Sequence, residues 1–396
     1  MRLHGTLLTL AATIASAAAF GPHDIKNIVT FGDSLSDNGN SLKDFGVPQA
    51  PYFNGHWSNG PIWIEYLSKF LDNATVYDYA VGGAVANKTD APATDSLIPD
   101  LAVQISVFQQ DAVRKQLSPS STLYTVWAGG NDFDDAAATG KVPDPAAIAG
   151  YVLTAVDALV KLGATNILVC NLPPLDLTPS GIALGPVFGP ILDALSNAFD
   201  TALRAGLTDM GTANPGANLV LNDVAKVFYY ATSAEGEKDF GLTDSSHPCL
   251  NTTSKVACAD PEKYLFWDGV HPTTTVHNHI AQWAYNQLFN ISGFDASPDV
   301  VNPPSTSTAS SVAASSTNAA SSVAASSTIA SSGASISATS VVVSGSTTVS
   351  VVATSSVATS NVASASTASS MSLYQSSGVK GATSLALVAL GFAALV

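Results

Sequence analysis

The chain has 396 residues, of which 46% are hydrophobic and only 11% charged, and its formal net charge is −15 at pH 7. Acidity of this degree excludes nucleic acid and argues against anionic membrane surfaces as partners, since both demand a basic face. All 30 acidic residues and 13 of the 15 basic ones fall between Asp24 and Asp299, whereas residues 301 to 370 hold no charged side chain and 35 Ser or Thr in 70 positions. Such a stretch cannot bury enough apolar surface to offset its ordering entropy, so the folded part is expected to be one large domain over residues 20 to 298.

Residues 1 to 19 open with Arg2 and His4, continue through the apolar run Leu7 to Ile14 and end on Ala17, Ala18 and Ala19. That layout is expected to be a secretory signal peptide cleaved after Ala19, the alternative being a buried N-terminal helix. Four N-glycosylation sequons, at Asn73, Asn87, Asn251 and Asn290, agree with secretion.

Within residues 20 to 298, short β-branched or apolar runs alternate with helical patterns. Candidate strands are Asn27 to Phe31, Thr75 to Ala80, Thr122 to Trp127, Asn166 to Cys170 and Asn218 to Leu221. Asp144 and Pro145 read as the cap and first-turn proline of a helix reaching toward Gly163. Ile191, Leu195, Phe199, Ala202, Leu203, Leu207 and Met210 recur at helical spacing and predict one apolar stripe laid against a sheet. Strands alternating with helices of this length imply an α/β fold, a three-layer α/β/α sandwich whose mostly parallel sheet binds ligands at the carboxyl ends of its strands.

Three of those strand ends carry small or polar residues able to do chemistry. Ser34 follows the first strand inside Gly32-Asp33-Ser34-Leu35-Ser36-Asp37, where a hydroxyl stands at the sheet's rim; the bland alternative is a helix N-cap. Gly82 and Gly83 follow the second, where the lack of a Cβ allows close approach to a ligand. Asn131 follows the third within Gly129-Gly130-Asn131-Asp132, either as a donor to a developing oxyanion or as a turn former. The Gly-x-Ser-x-Gly elbow of α/β-hydrolases is absent.

Near the domain's end, Asp268 and His271 stand three residues apart in Trp267-Asp268-Gly269-Val270-His271-Pro272. A turn can set that carboxylate beside one ring nitrogen and leave the other free to take a proton from a serine, giving a candidate Ser-Asp-His triad. Cys249 and Cys258, flanking a polar segment, are expected to form a disulfide in an oxidising compartment, while Cys170, inside an apolar run, reads as a buried inert thiol. His277 and His279 form no HExxH-type cluster and read as ordinary residues of the last helix.

The blocks FGDSLSDNGN (31 to 40), AVGGA (80 to 84), WAGGNDF (127 to 133) and WDGVHPT (267 to 273), in this order, resemble the GDSL or SGNH hydrolases. The stretch GHWSNGPIWIEYL (55 to 67) is similar to a segment of their plant-lipase-like and fatty-acyltransferase-like branch, with His56 and Trp57 where that branch often has Arg and Phe. The resemblance spans residues 26 to about 290. It implies a flavodoxin-like sandwich, Ser34 as nucleophile, His271 as general base and Asp268 as its orienting partner. The implied oxyanion hole is the backbone N–H of Ser34 and of Gly83 and the side-chain amide of Asn131, with Asp33 and Asp37 supporting the turn. No metal or cofactor is called for. The expected activity is an esterase working through an acyl-serine on short-chain or acetyl esters of carbohydrates; the alternatives are a lipase, phospholipase or acyltransferase on lipid esters, and a non-catalytic adhesin or wall protein.

Beyond the domain, residues 299 to 380 are expected to be a disordered, O-glycosylated stalk in which the octapeptide SSVAASST occurs twice, from Ser310 and from Ser321. Leu385 to Val396 is apolar but shorter than the roughly 20 residues needed to span a bilayer. With Ser376, Ser377, Gly378 and Lys380 before it, the 381 to 396 tail is expected to be a glycosylphosphatidylinositol attachment signal, the alternatives being a frayed tail or a tail anchor. The expected location is extracellular, with membrane or wall reached only through that lipid.

Overall fold

The computed structural model describes residues 21–91 and 97–291. The expected signal peptide (1–19), stalk (299–380) and C-terminal signal (381–396) lie outside the described residues.

Five parallel strands form the central sheet: β1 (Asn27–Gly32), β2 (Thr75–Asp78), β3 (Thr122–Trp127), β4 (Asn166–Cys170) and β5 (Asn218–Asn222), in spatial order β2-β1-β3-β4-β5. Helices α1 (Asn40–Phe45) and α2 (Trp63–Phe70) join β1 to β2, and α3 (Leu101–Gln110) leads into β3. Helices α4 (Gly130–Ala138) and α5 (Pro145–Lys161) precede β4, and α6 (Pro179–Ala183) and α7 (Gly189–Ala213) precede β5. Helices α8 (Val224–Ala231), α9 (Ala234–Phe240) and α10 (Thr274–Leu288) complete the chain.

Alternate side chains of a strand point to opposite faces, and here both faces are apolar. Ile28, Leu123, Trp127, Leu168 and Cys170 pack with α2, α8 and α10. Val29, Phe31, Tyr124, Val126, Ile167 and Val169 pack with α3, α5 and α7. The result is the expected three-layer sandwich. The strand order reverses between β1 and β3, so a crevice opens at their carboxyl ends.

Local chemistry explains most boundaries. Asp144 accepts the N–H groups of Ala146 (3.0 Å) and Ala147 (3.2 Å) and starts α5 at its N1 proline. The regular part of β2 stops at Asp78, two residues before the sequence expectation, because Asp78 bends back to accept the Ala80 N–H at 2.8 Å. In α7 the expected stripe packs inward from Leu195 to Met210 and departs from expectation only at its first residue. Leu192 packs inward near Ala137 whereas Ile191 is exposed, although Phe199, Leu203 and Leu207 are buried as the periodicity requires.

The segment after α9 holds short strands that the sequence reading did not foresee. β6 (Asp244–Pro248) pairs with β9 (Tyr264–Phe266), and β7 (Leu250–Asn251) with β8 (Val256–Ala257) forms a hairpin closed by the expected Cys249–Cys258 disulfide, with Cα atoms 4.9 Å apart. Cys170 is a buried free thiol whose pKa is pushed up by burial. Among the sequons, Asn73, Asn251 and Asn290 are exposed and Asn87 is half-buried. No helix among the described residues is long and apolar enough to cross a membrane.

The disulfide hairpin has a position that matters. Cys249 and Leu250 pack against Trp267, and their N–H groups bond the carbonyls of Phe266 (3.0 Å) and Trp267 (2.6 Å). Replacing Cys249 and Cys258 by serine removes a short closed loop worth roughly 3 kcal/mol in the chain-entropy treatment. Thermal unfolding followed by circular dichroism should show a Tm lowered by several degrees; an unchanged Tm in the double variant would mean that the hairpin holds without its crosslink.

Candidate active site

Gly32 ends β1 where a side chain has no room: a Cβ there would lie 2.1 Å from the Trp127 carbonyl oxygen of β3, at a φ of 152°. The buried amide of Gln104, on α3, clamps this residue from both sides. Its Oε1 accepts the Gly32 N–H at 2.9 Å and its Nε2 donates to the Gly32 carbonyl at 2.8 Å. The chain then turns, with Asp33 accepting the Leu35 N–H at 3.0 Å, and Ser34 stands half-buried at the rim. Burial pushes the Asp33 carboxyl up to about 7 against the pull of the Leu35 N–H and His271. Asp37 accepts the N–H groups of Gly39 (2.8 Å), Asn40 (2.7 Å) and Gly82 (2.8 Å), so it ties the first block to the second.

On the opposite wall, a tight loop is closed between β9 and α10: Trp267 N–H bonds the His271 carbonyl at 2.8 Å and Phe266 bridges Pro272. Asp268 makes this loop its own cap, its Oδ1 accepting the N–H groups of Val270 (3.0 Å) and His271 (2.8 Å). The same carboxylate meets His271 Nδ1 at 2.9 and 2.8 Å. His271 Nε2 lies 2.8 Å from Ser34 Oγ. Residues 237 positions apart thus form one continuous chain of polar contacts, buried except at the serine.

Burial opposes the charge on Asp268, yet His271 and the two backbone donors together hold its pKa below the usual carboxylate range. An ionised carboxylate only accepts, so Nδ1 carries the proton and Nε2 presents its lone pair to the Ser34 hydroxyl. That arrangement can remove a proton from Ser34 and return it to a leaving group.

The remaining expected residues line the same cavity, about 300 Å³ in volume, with Ser34 and His271. The Gly82 N–H is already engaged by Asp37 and by Ser41 Oγ (2.7 Å), and a Cβ there would fall 2.4 Å from Trp57 Nε1. Gly83, next along the chain, lines the cavity without that commitment. Asn131, in the first turn of α4, donates one amide hydrogen to the Ala84 carbonyl at 2.9 Å, which fixes its rotamer and leaves the other for a ligand. Asp132 accepts the Ala86 N–H at 2.8 Å, and burial pushes its carboxyl up to about 7. The loop carrying Gly83 therefore hangs between Asp37 and Asp132.

Several residues were not foreseen. Tyr52 donates its hydroxyl to Asp268 Oδ2 at 2.7 Å, and burial together with that carboxylate pushes its own pKa up. The Trp57 ring lies over His271 at 5.3 Å between centroids. Both come from residues 47 to 61, which are fastened to the histidine loop by Ser58 Oγ to the Pro272 carbonyl (2.8 Å) and by the Thr274 N–H to Asn59 Oδ1 (2.8 Å). His56 lies 3.0 Å from Glu65 Oε2; burial works against its charge, but Glu65 and the Phe53 carbonyl outweigh it and raise its pKa. His277 and His279 sit in α10 as expected, held neutral by burial, with pKa values lowered to about 3 and about 4. Among the described residues no group of His, Cys, Asp and Glu is arranged to hold a metal ion.

The family model for GDSL-like lipases/acylhydrolases matches residues 28–284, spanning the sheet and every residue of this site. The chain belongs to the GDSL-like lipase/acylhydrolase family. That family is one of carboxylic ester hydrolases. Among curated relatives of this GDSL chain, the thermolabile hemolysin of Vibrio parahaemolyticus is 31% identical over 292 residues, covering 67% of the chain and 64% of the hemolysin. The chain thus spans less than two thirds of that relative's length. The phosphatidylcholine-sterol acyltransferase of Aeromonas hydrophila is 26% identical over 328 residues, covering 70% of the chain and 93% of the acyltransferase. An acetylesterase of Thermothelomyces thermophilus is 26% identical over 303 residues, covering 70% and 94% respectively.

Proposed function

We propose that this GDSL-family protein is an extracellular serine esterase that cleaves short-chain or acetyl esters of carbohydrates or related polyols. The observation that carries the chemistry is the unbroken Asp268–His271–Ser34 chain at 2.8 Å per link. His271 takes the proton of Ser34 as its Oγ attacks the ester carbonyl; the Ser34–acyl bond forms and the carbonyl π pair moves onto oxygen. Collapse of that intermediate expels the alcohol, which receives the proton from His271. Water then repeats the sequence on the acyl-serine and releases the acid. The Ser34 and Gly83 N–H groups and the Asn131 amide are the proposed donors to the oxyanion, each such donor being worth roughly 3 kcal/mol of barrier.

The size of the cavity, about 300 Å³ and at the low end of ligand sites, supports a short acyl group. A lipid-directed reading has its own support: Phe45 and Val47 line the cavity and are 38% and 46% exposed at its mouth. The signal-peptide pattern at residues 1 to 19 and the sequons support secretion, and the tail pattern at residues 381 to 396 supports a lipid anchor at the cell surface or wall. The test is a panel of p-nitrophenyl esters from acetate to palmitate, with Ser34→Ala as control. Turnover falling steeply beyond butyrate supports the short-chain reading; a maximum at long chains replaces it with the lipid one.

Tyr52 acts here through Asp268 as a positioning residue. Tyr52→Phe keeps the ring's packing on Trp57 and Trp267 and removes one bond to a buried carboxylate. The expected result is a kcat lowered about tenfold with KM unchanged, from the strength of bonds to charged groups. A raised KM at constant kcat would make Tyr52 a rim residue instead.

A further inference from the structure

The cavity wall contains a carboxyl group without a hydrogen-bonding partner among the described residues. Asp134 lines the cavity together with Ser34, His271 and Asn131, and no donor among the described residues meets its carboxyl group. Every other polar side chain there is engaged or shut away. Asp33 accepts the Leu35 N–H at 3.0 Å, and Ser41 Oγ donates to Asp37. Thr178 Oγ1 donates to the Leu175 carbonyl at 2.8 Å and accepts the Gly181 N–H at 3.0 Å. The Trp57 indole N–H is unpartnered too, but that atom is fully buried against Gly82. Burial pushes the Asp134 carboxyl up to about 7, against the attraction of His271 and with the repulsion of Asp33. Asp134 is half-buried, so its carboxyl reaches the cavity, where a ligand hydroxyl can take the place of water as its donor.

Its place along the helix says where such a donor must lie. Asp134 follows Asn131 by three residues on α4, so the two share a face with Cβ atoms about 5–6 Å apart. One helical turn thus separates it from the amide assigned to the oxyanion. We propose that Asp134 is a specificity residue that accepts a hydrogen bond from a free hydroxyl close to the scissile ester, so that the preferred substrates are hydroxyl-bearing esters rather than simple alkyl esters. This rests on Ser34 being the nucleophile. Apolar side chains such as Leu35, Ile98 and Leu172 line other parts of the wall and offer no competing polar contact.

The test compares kcat/KM for three short esters: monobutyrin, with hydroxyls on the alcohol side; propyl β-hydroxybutyrate, with one on the acyl side; and propyl butyrate, with neither. The unsubstituted enzyme should favour one of the hydroxyl esters over propyl butyrate by about ten- to hundredfold, as expected of a bond to a charged group; which one identifies the side that Asp134 reads. In Asp134→Leu the ratio should fall to about one. In Asp134→Asn, which keeps an acceptor oxygen in nearly the same shape, it should stay several-fold above one. Equal kcat/KM values in the unsubstituted enzyme, or a ratio that Asp134→Leu leaves unchanged, overturn the specificity role alone. Turnover of all three esters by Ser34→Ala would overturn the nucleophile assignment and this proposal with it.

Discussion

Ser34→Ala should lower kcat by about 10⁴- to 10⁶-fold, His271→Ala should do nearly the same, and the double variant should be scarcely worse than either, because the two side chains act as one proton-transfer unit. The geometry behind this is the 2.8 Å contact between Ser34 Oγ and His271 Nε2, with Nδ1 held by Asp268. Without the imidazole the hydroxyl keeps its proton; without the hydroxyl the imidazole has nothing to activate. Residual turnover above the uncatalysed rate should survive, carried by the Gly83 and Asn131 donors and by binding in the cavity. Neither change should disturb folding, because the turn before Ser34 is held by Gln104 and Asp33, and the turn before His271 by the Asp268 carboxylate and backbone. Steady-state kinetics with p-nitrophenyl butyrate, next to thermal melts of each variant, read both. Losses that multiply in the double variant would show that the residues work in separate steps.

The sequence disclosed the parts of this molecule that rest on local chemistry. β1, β3 and β4 are near-continuous β-branched and apolar runs because both faces of the sheet are covered, and such runs are read without tertiary information. The first turn of α5 was legible because Asp144 and Pro145 act on amides two and three residues away. The Asp268–His271 pair was legible for the same reason: one Asx turn sets both its backbone and its ring contact.

What stayed hidden depends on contacts between distant segments. Gln104 looks like any polar helical residue until β1 ends beside it, and Tyr52 lies 216 positions before the carboxylate it bonds. The polar run Asp244–Pro248 carries no strand signal, yet it pairs with Tyr264–Phe266 beside the histidine loop. The stripe of α7 was misread at its first turn because both Ile191 and Leu192 are apolar, and only the small cluster around Ala137 decides which of them turns inward. Asp134 lies just past the Gly129–Asp132 stretch that the sequence leaves open between donor and turn, and its place on the cavity wall is a consequence of helix α4, which brings it onto the face of Asn131.

Asn131→Ala should reduce kcat by about 10²- to 10³-fold with little change in KM, the loss expected when one oxyanion donor is removed. The proposed donor would act by being fixed before the substrate arrives. One amide hydrogen of Asn131 is spent on the Ala84 carbonyl at 2.9 Å, which orients the other without reorganisation during the reaction. A ground-state carbonyl oxygen is only weakly drawn to that hydrogen, whereas the tetrahedral oxyanion carries a full charge, so the bond strengthens in the transition state and its loss appears in kcat. The substitution also removes one tether of the loop that bears Gly83, but Asp132 still holds the Ala86 N–H and Asp37 still holds that of Gly82. A melt near that of the unsubstituted protein would therefore separate chemistry from stability. Asn131→Asp provides the sharper control: it keeps the shape, cannot donate and brings negative charge toward the oxyanion, so its kcat should be at least as low as that of the alanine variant. If either variant instead raises KM at unchanged kcat, Asn131 binds the resting ester, and the oxyanion rests on the backbone N–H groups of Ser34 and Gly83 alone.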